Sequence, residues 1–251
     1  MLQGVLTNAQ RHEQMAMAKS AKCPMLKKKK HFNSKWASVV CYGPSLKDTW
    51  HLIKRPMVTV SGAHDFMVSK GVIPDYHIDC DPRAHKAQML AKPQKSTSYL
   101  MASVCHPSWW PLLKGHNVRL WHLINGNDLE TVEWVFKHDP DGIDCMISGG
   151  SSVGMRAMEV MAALGFRRFR FYGMDCSYTD QRHAGDHLGH EQKPILVKAG
   201  ERVFKTTKQM LEAAIEMEKF IETQDAEVAF FGDGLMQETA LQLKGMVCKT
   251  K

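Results

Sequence analysis

Short apolar runs alternate with polar, glycine-punctuated turns along most of the chain. Residues 36–42, 57–61, 98–104, 118–123, 169–172 and 228–231 are apolar at nearly every position, and 76–83 begins the same way before ending in carboxylates. A strand exposed on one face alternates apolar with polar, so unbroken runs of this length predict strands covered on both faces. Between the runs lie segments of helical period. Val153, Ala157, Val160, Met161 and Leu164 share one helix face, and Gly165 stands where a C-terminal glycine cap is expected. Met210, Ala214, Met217 and Ile221 mark the clearest amphipathic helix, over 205–222, and 235–243 predicts a closing helix. Asn8 caps a helix through about Lys19, which Pro24 ends. Repetition of strand, turn and helix predicts an α/β fold with a doubly wound, mainly parallel sheet. The expectation is one domain over 36–251, preceded by a basic arm over 1–35.

Composition narrows the class. Hydrophobic content of 44% and charged content of 24% exclude wholesale disorder, and 251 residues suffice for one sizeable core. No run of about 18 apolar residues is present, and the N-terminus lacks an apolar signal core, so the expected location is cytoplasmic, with no membrane span. The seven cysteines form no C-x-x-C pair and read as reduced thiols rather than disulfides or a zinc site. Net charge is +7, and Lys19, Lys22, Lys27, Lys28, Lys29, Lys30 and Lys35 crowd into the first 35 residues. Such a block reads as a solvated tail or as a nonspecific, salt-dependent nucleic-acid contact. The oligomeric state is not readable.

Candidate chemistry collects at turns that follow apolar runs. In the turn Ser148-Gly149-Gly150-Ser151-Ser152, glycine permits a sharp bend and leaves amide groups uncovered at a helix N-terminus, which is an anion site. A connector that binds nothing has the same appearance. After the first run, Gly43-Pro44-Ser45 offers a second such turn, with Lys47 nearby as a cation. It is neither a Walker motif nor a G-x-G-x-x-G fingerprint, which counts against ATPase and dehydrogenase readings. Asp79 and Asp81, two apart on a strand, are expected on one face, fit to hold a hard cation or sugar hydroxyls, and Arg83 adds a phosphate fork. The alternative role for a strand-end aspartate is to cap the next helix. Asp175 falls just past the 169–172 strand, at the edge where open α/β sheets bind ligands. Tyr178 follows, and then a polar loop carries His183, His187 and His190. Gly185 and Gly189 oppose a stable helix there, so exposed loop histidines, or one of them acting as acid or base, are preferred to a metal site.

The Gly43-Pro44-Ser45-Leu46 turn, the 74–81 segment, Ser148-Gly149-Gly150-Ser151 and Gly173-Met174-Asp175-Cys176-Ser177-Tyr178 occur in the order seen in MptE-like proteins, and over residues 36–240 the chain resembles that family. The family is named for archaeal 6-hydroxymethylpterin diphosphokinases and includes phage and bacterial members. The same elements are similar to bacterial sialyltransferases that use CMP-activated sugars and to motility accessory factors implicated in flagellin glycosylation. Tyr42 stands where those enzymes have asparagine. The resemblance implies a Rossmann-like, nucleotide-using transferase with its site at the strand C-termini. It implies nucleotide binding by Gly43, Pro44, Ser45, Ser148, Gly149, Gly150 and Ser151, with catalysis by Asp175 and a loop histidine, His183 or His187. Asp79, Asp81, Arg83, Tyr178 and His190 would meet substrate or metal. Diphosphoryl transfer from ATP requires Mg2+, whereas glycosyl transfer from a CMP- or UDP-activated donor survives chelation in the CMP case. A modification enzyme acting on phage or host nucleic acid, and a non-catalytic nucleotide-binding protein, complete the set of readings. If phage-encoded, the protein would work in the host cytoplasm.

Overall fold

A computed structural model describes residues 6–126, 128–185, 193–223, 226–241 and 247–249. The elements are α1 (Asn8–Ser20), β1 (Trp36–Val40), α2 (Leu46–Thr49), β2 (Met57–Val60), α3 (Ala63–Ser69), β3 (Tyr76–Asp79) and β4 (Ser98–Ala102). They continue as α4 (Trp109–Leu112), β5 (Asn117–Leu123), α5 (Leu129–His138), β6 (Met146–Ile147), α6 (Val153–Ala163) and β7 (Arg168–Tyr172). The chain closes with β8 (Pro194–Ala199), β9 (Arg202–Thr207), α7 (Lys208–Thr223), β10 (Glu227–Phe231), α8 (Leu235–Leu241) and β11 (Val247–Lys249).

Nine strands form one sheet in the order β11-β10-β7-β1-β2-β3-β4-β5-β6, and every pairing in it is parallel. The doubly wound α/β, Rossmann-like architecture expected from the sequence is therefore present. The chain winds outward from β1 to β6, then returns through α6 to lay β7 against the other side of β1, where Val40 pairs with both Thr59 and Tyr172. Winding reverses between β1 and β7, and a parallel sheet opens a crevice outside the strand C-termini at such a point. The unbroken apolar runs are buried on both faces, with Val39, Phe169, Phe171 and Phe230 at 0% exposure. Trp109 and Trp121 are likewise fully buried core residues.

Three expectations change. The helix placed over 205–222 begins at Lys208, because Lys205, Thr206 and Thr207 belong to the antiparallel hairpin β8–β9, and the Thr207 hydroxyl accepts from Met210 N at 3.2 Å to start α7. Strand β3 stops at Asp79, so Asp81 lies beyond it. Within the basic arm expected over 1–35, residues 8–26 pack against the rest of the chain. Thr7, not the expected Asn8, caps α1 and forms a capping box with Gln10, Met15, Ala18 and Leu26 are in the core, and Arg11 pairs with Asp128. Leu26 N donates to Leu120 O at 2.7 Å and Leu120 N to Pro24 O at 2.9 Å, so this segment runs along β5. Apolar side chains at 15, 18 and 26 anchor it, while Lys27 to Lys30 stay exposed. No helix among the described residues is long and apolar enough to cross a membrane.

Candidate active site

Because the sheet is parallel, the turns after β1, β3, β6, β7 and β10 all emerge at one edge. The turn after β1 is locked by the segment after β7. Gly43 N donates to Gly173 O at 2.8 Å, and Ser45 N donates to Asp175 Oδ2 at 2.8 Å while the Ser45 hydroxyl donates to Asp175 Oδ1. A Cβ on Gly43 would stand 2.5 Å from Gly173 O and 2.6 Å from Asp175 Oδ2, so only glycine permits this approach. The amide that the sequence offered to a phosphate is thus held by a carboxylate of the chain itself. Asp175 is buried, and burial raises its pKa to about 6 against the pull of its Ser45 and Gln237 hydrogen bonds. Its backbone oxygen also accepts from Met236 N at 3.0 Å, tying β7 to α8.

The loop after β7 returns over this turn. Ala184 N donates to Tyr42 O at 3.1 Å, and the His183 ring stacks on Tyr42 with 5.3 Å between centroids. Tyr42 is the platform on which His183 rests. His187 and His190 lie outside the described residues. Tyr178 is buried, donates its amide to Lys205 O at 2.9 Å, and has Arg182 and Lys205 against its ring at 5.0 and 5.3 Å. It fastens the loop to β9.

The turn after β6 reaches the same crevice because α6 crosses back beneath the sheet. Gly154, in its first turn, packs so closely on β1 that a Cβ there would stand 2.8 Å from Cys41 Sγ. Gly149 and Gly150 have φ of +145° and +42°, and a Cβ on Gly150 would meet Met155 Cε at 2.4 Å. Ser152 caps α6 by accepting from Met155 N, leaving Ser151 N to donate to Glu216 Oε2 of α7 at 2.8 Å. A carboxylate already rests against this turn, and the Ser151 hydroxyl oxygen is buried without a partner. Ser148, at the head of the turn, is exposed.

Arg156 is the residue that sequence reasoning missed. It is 5% exposed; Nε donates to Gly149 O and Gly150 O at 3.2 and 3.1 Å, Nη1 to Cys80 Sγ at 3.3 Å and Nη2 to Asn125 Oδ1 at 3.1 Å. None of these partners is a carboxylate. A buried guanidinium satisfied only by uncharged groups retains its full attraction for an anion. Helical period sets position 156 beside the apolar stripe, three after Val153 and four before Val160, but does not reveal that its guanidinium meets the glycine turn.

Asp79 ends β3 and Asp81 lies just beyond it, and the two are held differently. Asp79 is 1% exposed; Oδ1 accepts from Cys80 N and Asp81 N at 2.7 and 2.8 Å, and Oδ2 is buried without a partner. Burial raises its pKa to about 6, opposed chiefly by Lys86. Asp81 accepts from Arg83 Nε at 2.8 Å and pairs with Lys86 at 3.8 Å. Burial opposes ionisation of Asp81, but these cations hold its pKa below the usual carboxylate range. Arg83 is thereby engaged, and no group of three or more acidic, histidine or cysteine residues is arranged for a metal among the described residues. What remains for a cation is Asp79 Oδ2, which fits one carboxylate ligand supplemented by phosphate oxygens, the usual mode for magnesium.

Nearby, the Ser103 hydroxyl lies 2.8 Å from His122 Nδ1, and His122 Nε2 lies 3.1 Å from Asp139 Oδ2. This serine-histidine-aspartate chain is enclosed: its members are at most 8% exposed, and a Cβ on Gly142 would stand 2.4 Å from His122 Nε2. It is a buried network between β4, β5 and the segment after α5.

The family model described as MptE-like, 6-hydroxymethylpterin diphosphokinase MptE-like, matches residues 9–181. That span begins inside α1, consistent with an N-terminal segment built into the domain. No curated protein sequence matches the chain. Among solved structures, the Maf glycosyltransferase from Magnetospirillum magneticum AMB-1 superimposes with a TM-score of 0.71 at 17% identity, covering 96% of this chain and 38% of that one. The likeness is one of fold, and the chain spans little more than a third of that enzyme's length.

Proposed function

The chain belongs to the MptE-like family, and from that premise we propose that it is a nucleotide-dependent transferase whose donor lies along the C-terminal edge of the sheet. The observation that carries this reading is Arg156, a buried cation without a carboxylate partner, held against the Gly149-Gly150 turn at the N-terminus of α6. Its free N–H groups, the Ser151 amide and the positive end of α6 make a phosphate site, with Glu216 standing where a phosphate oxygen would go. The Gly43-Pro44-Ser45 turn serves the donor differently from the sequence expectation. Clamped by Asp175, it shapes the crevice wall and presents Tyr42 with His183 upon it, close to where an acceptor hydroxyl would enter.

The first form of the reaction is diphosphoryl transfer from ATP. The acceptor hydroxyl oxygen bonds to the β-phosphorus, the bond from that phosphorus to the α–β bridging oxygen breaks, AMP leaves, and His183 takes the hydroxyl proton. Magnesium would supply charge neutralisation of the phosphates, with Asp79 Oδ2 as its protein ligand. A second form is favoured by the engagement of Asp81 with Arg83 and Lys86, which leaves few carboxylate oxygens for a metal. This is glycosyl transfer from a CMP-activated sugar, in which the nucleotide monophosphate departs and chelation is tolerated.

A thermal-shift panel of ATP, CTP, CMP, UDP-sugars and pterins, with and without magnesium, tests both forms. A ligand at 100 times its Kd stabilises by about 2.7 kcal/mol. The expected result is stabilisation by one nucleotide class and its loss in Arg156→Gln. Stabilisation by none of them, or an unchanged shift in that variant, removes the reading. Retention of turnover in EDTA selects the glycosyl form.

A further inference from the structure

The opposite edge of the sheet carries a second concavity. Where residues 24–29 arch along β5 and past the end of α6, they leave a pocket of about 290 Å³ at the starts of β3, β4 and β5. Leu26, Leu100 and Leu164 form apolar walls, Tyr76 contributes a ring, and Lys27 and Arg119 bring two cations. We propose that this pocket binds a compact organic anion, an apolar or aromatic body about one ring in size that bears a single carboxylate or phosphate.

The charge balance supports an anion. Neither the Lys27 ammonium nor the Arg119 guanidinium has a hydrogen-bond or ion-pair partner among the described residues, and Arg119 is half-buried at the pocket wall, partly stripped of water. Asp75, the carboxylate beside Tyr76, is already engaged: it accepts from Arg55 Nη1 at 2.7 Å and from Met57 N at 2.8 Å. The carbonyls at the end of α6 do not compete for the cations, because Lys29 N donates to Ala163 O at 2.8 Å and Gly165 N to Ala162 O at 2.9 Å. Lys29 and Lys30 follow, exposed, in the same segment, whereas Lys28 Nζ is directed away to Met146 O at 3.3 Å. Size decides the rest, since the volume lies at the small end of ligand pockets and its apolar walls reward a hydrophobic body rather than a bare ion.

Phenyl phosphate and benzoate are the probes, with benzyl alcohol as the neutral control, titrated into the full chain by calorimetry and followed by NMR at Tyr76 and Leu164. Both anions are expected to bind at least tenfold more tightly than benzyl alcohol. Arg119→Gln should weaken them at least tenfold and Lys27→Gln several-fold, whereas Arg156→Gln should leave them unchanged. Lys27 is exposed, so its substitution keeps the test valid if Arg119→Gln does not fold. Equal binding of alcohol and anions, no binding of either anion, or loss in Arg156→Gln with none in Lys27→Gln and Arg119→Gln would each overturn the proposal. The last result would place the anion at the glycine turn instead.

Discussion

At the scale of single residues, Asp79 and Asp175 are both buried at the ends of parallel strands, each held by hydrogen bonds from the chain itself. Asp175 was legible as a strand-end acid, but its bonds to Ser45 join residues 130 apart in the chain, and no local pattern encodes such a pairing. Arg156 was invisible because period reports only which face a residue occupies, not whether a glycine turn from the far edge of the sheet folds over it. The acids carry a pH consequence with a definite sign. Burial raises Asp79 and Asp175 to about 6 from 3.8, so the folded chain holds these protons more tightly than the unfolded one. Stability from this source is complete below pH 3.8 and is lost as pH rises through 6. Asp79→Asn keeps the acceptor for Cys80 N and Asp81 N while removing the charge. Urea denaturation should show the variant more stable than the parent at pH 7 by on the order of 2 kcal/mol, with the difference gone at pH 3.5. Equal stability at both values would mean that Asp79 is not held in an environment that resists its charge. At Asp175 the same burial is opposed by hydrogen bonds from Ser45 and Gln237 to the carboxylate, so Asp175→Asn should gain less stability at pH 7 than Asp79→Asn in the same measurement.

At the scale of elements, the strand runs were readable because a parallel strand covered by helices needs apolar residues on both faces. The pairing of β6 with β5, and the long return of α6 to β7, were not, because order within a sheet depends on crossovers rather than on any one segment. The hairpin β8–β9 escaped notice for a related reason. Strand β8 alternates exposed with half-buried positions, and β9 buries Phe204, Thr206 and Thr207, two of them polar, so the hairpin gives neither an apolar run nor a helical stripe. The glycine turn before α6 can be tested as an element. Gly150→Ala forces a side chain into the left-handed region and against Met155, at a cost of about 1–2 kcal/mol. Ser152→Ala removes the cap of α6 for about 1 kcal/mol while leaving the turn's path intact. If the turn holds a phosphate, Gly150→Ala should diminish the nucleotide-induced thermal shift severalfold and Ser152→Ala should not. Equal losses in the two variants would reduce the turn to a connector.

At the scale of the whole molecule, the first 35 residues decide between two pictures of the same lysines. Charge patterning suggested a detachable tail, since a block of lysines masks three isolated apolar residues whose partners lie a hundred positions away. In the fold, Met15, Ala18 and Leu26 fill the core beside β5, and residues 24–26 bond along that strand. Burying side chains of the size of Met15 and Leu26 contributes roughly 1.5–3 kcal/mol each, a large share of a typical domain's margin of about 5–15 kcal/mol. Deletion of residues 1–35 should therefore lower the urea midpoint sharply or leave the protein insoluble, and any accompanying loss of DNA retention would say nothing about a contact. The charge itself must be tested without disturbing the core, by replacing Lys28, Lys29 and Lys30 together with glutamine, since all three are exposed. Should this face hold nucleic acid, the triple variant keeps the parent's urea midpoint, and the steep salt dependence of DNA retention flattens by up to about one unit of logarithmic slope per lysine lost. Retention with an unchanged salt slope would assign those lysines to solvent.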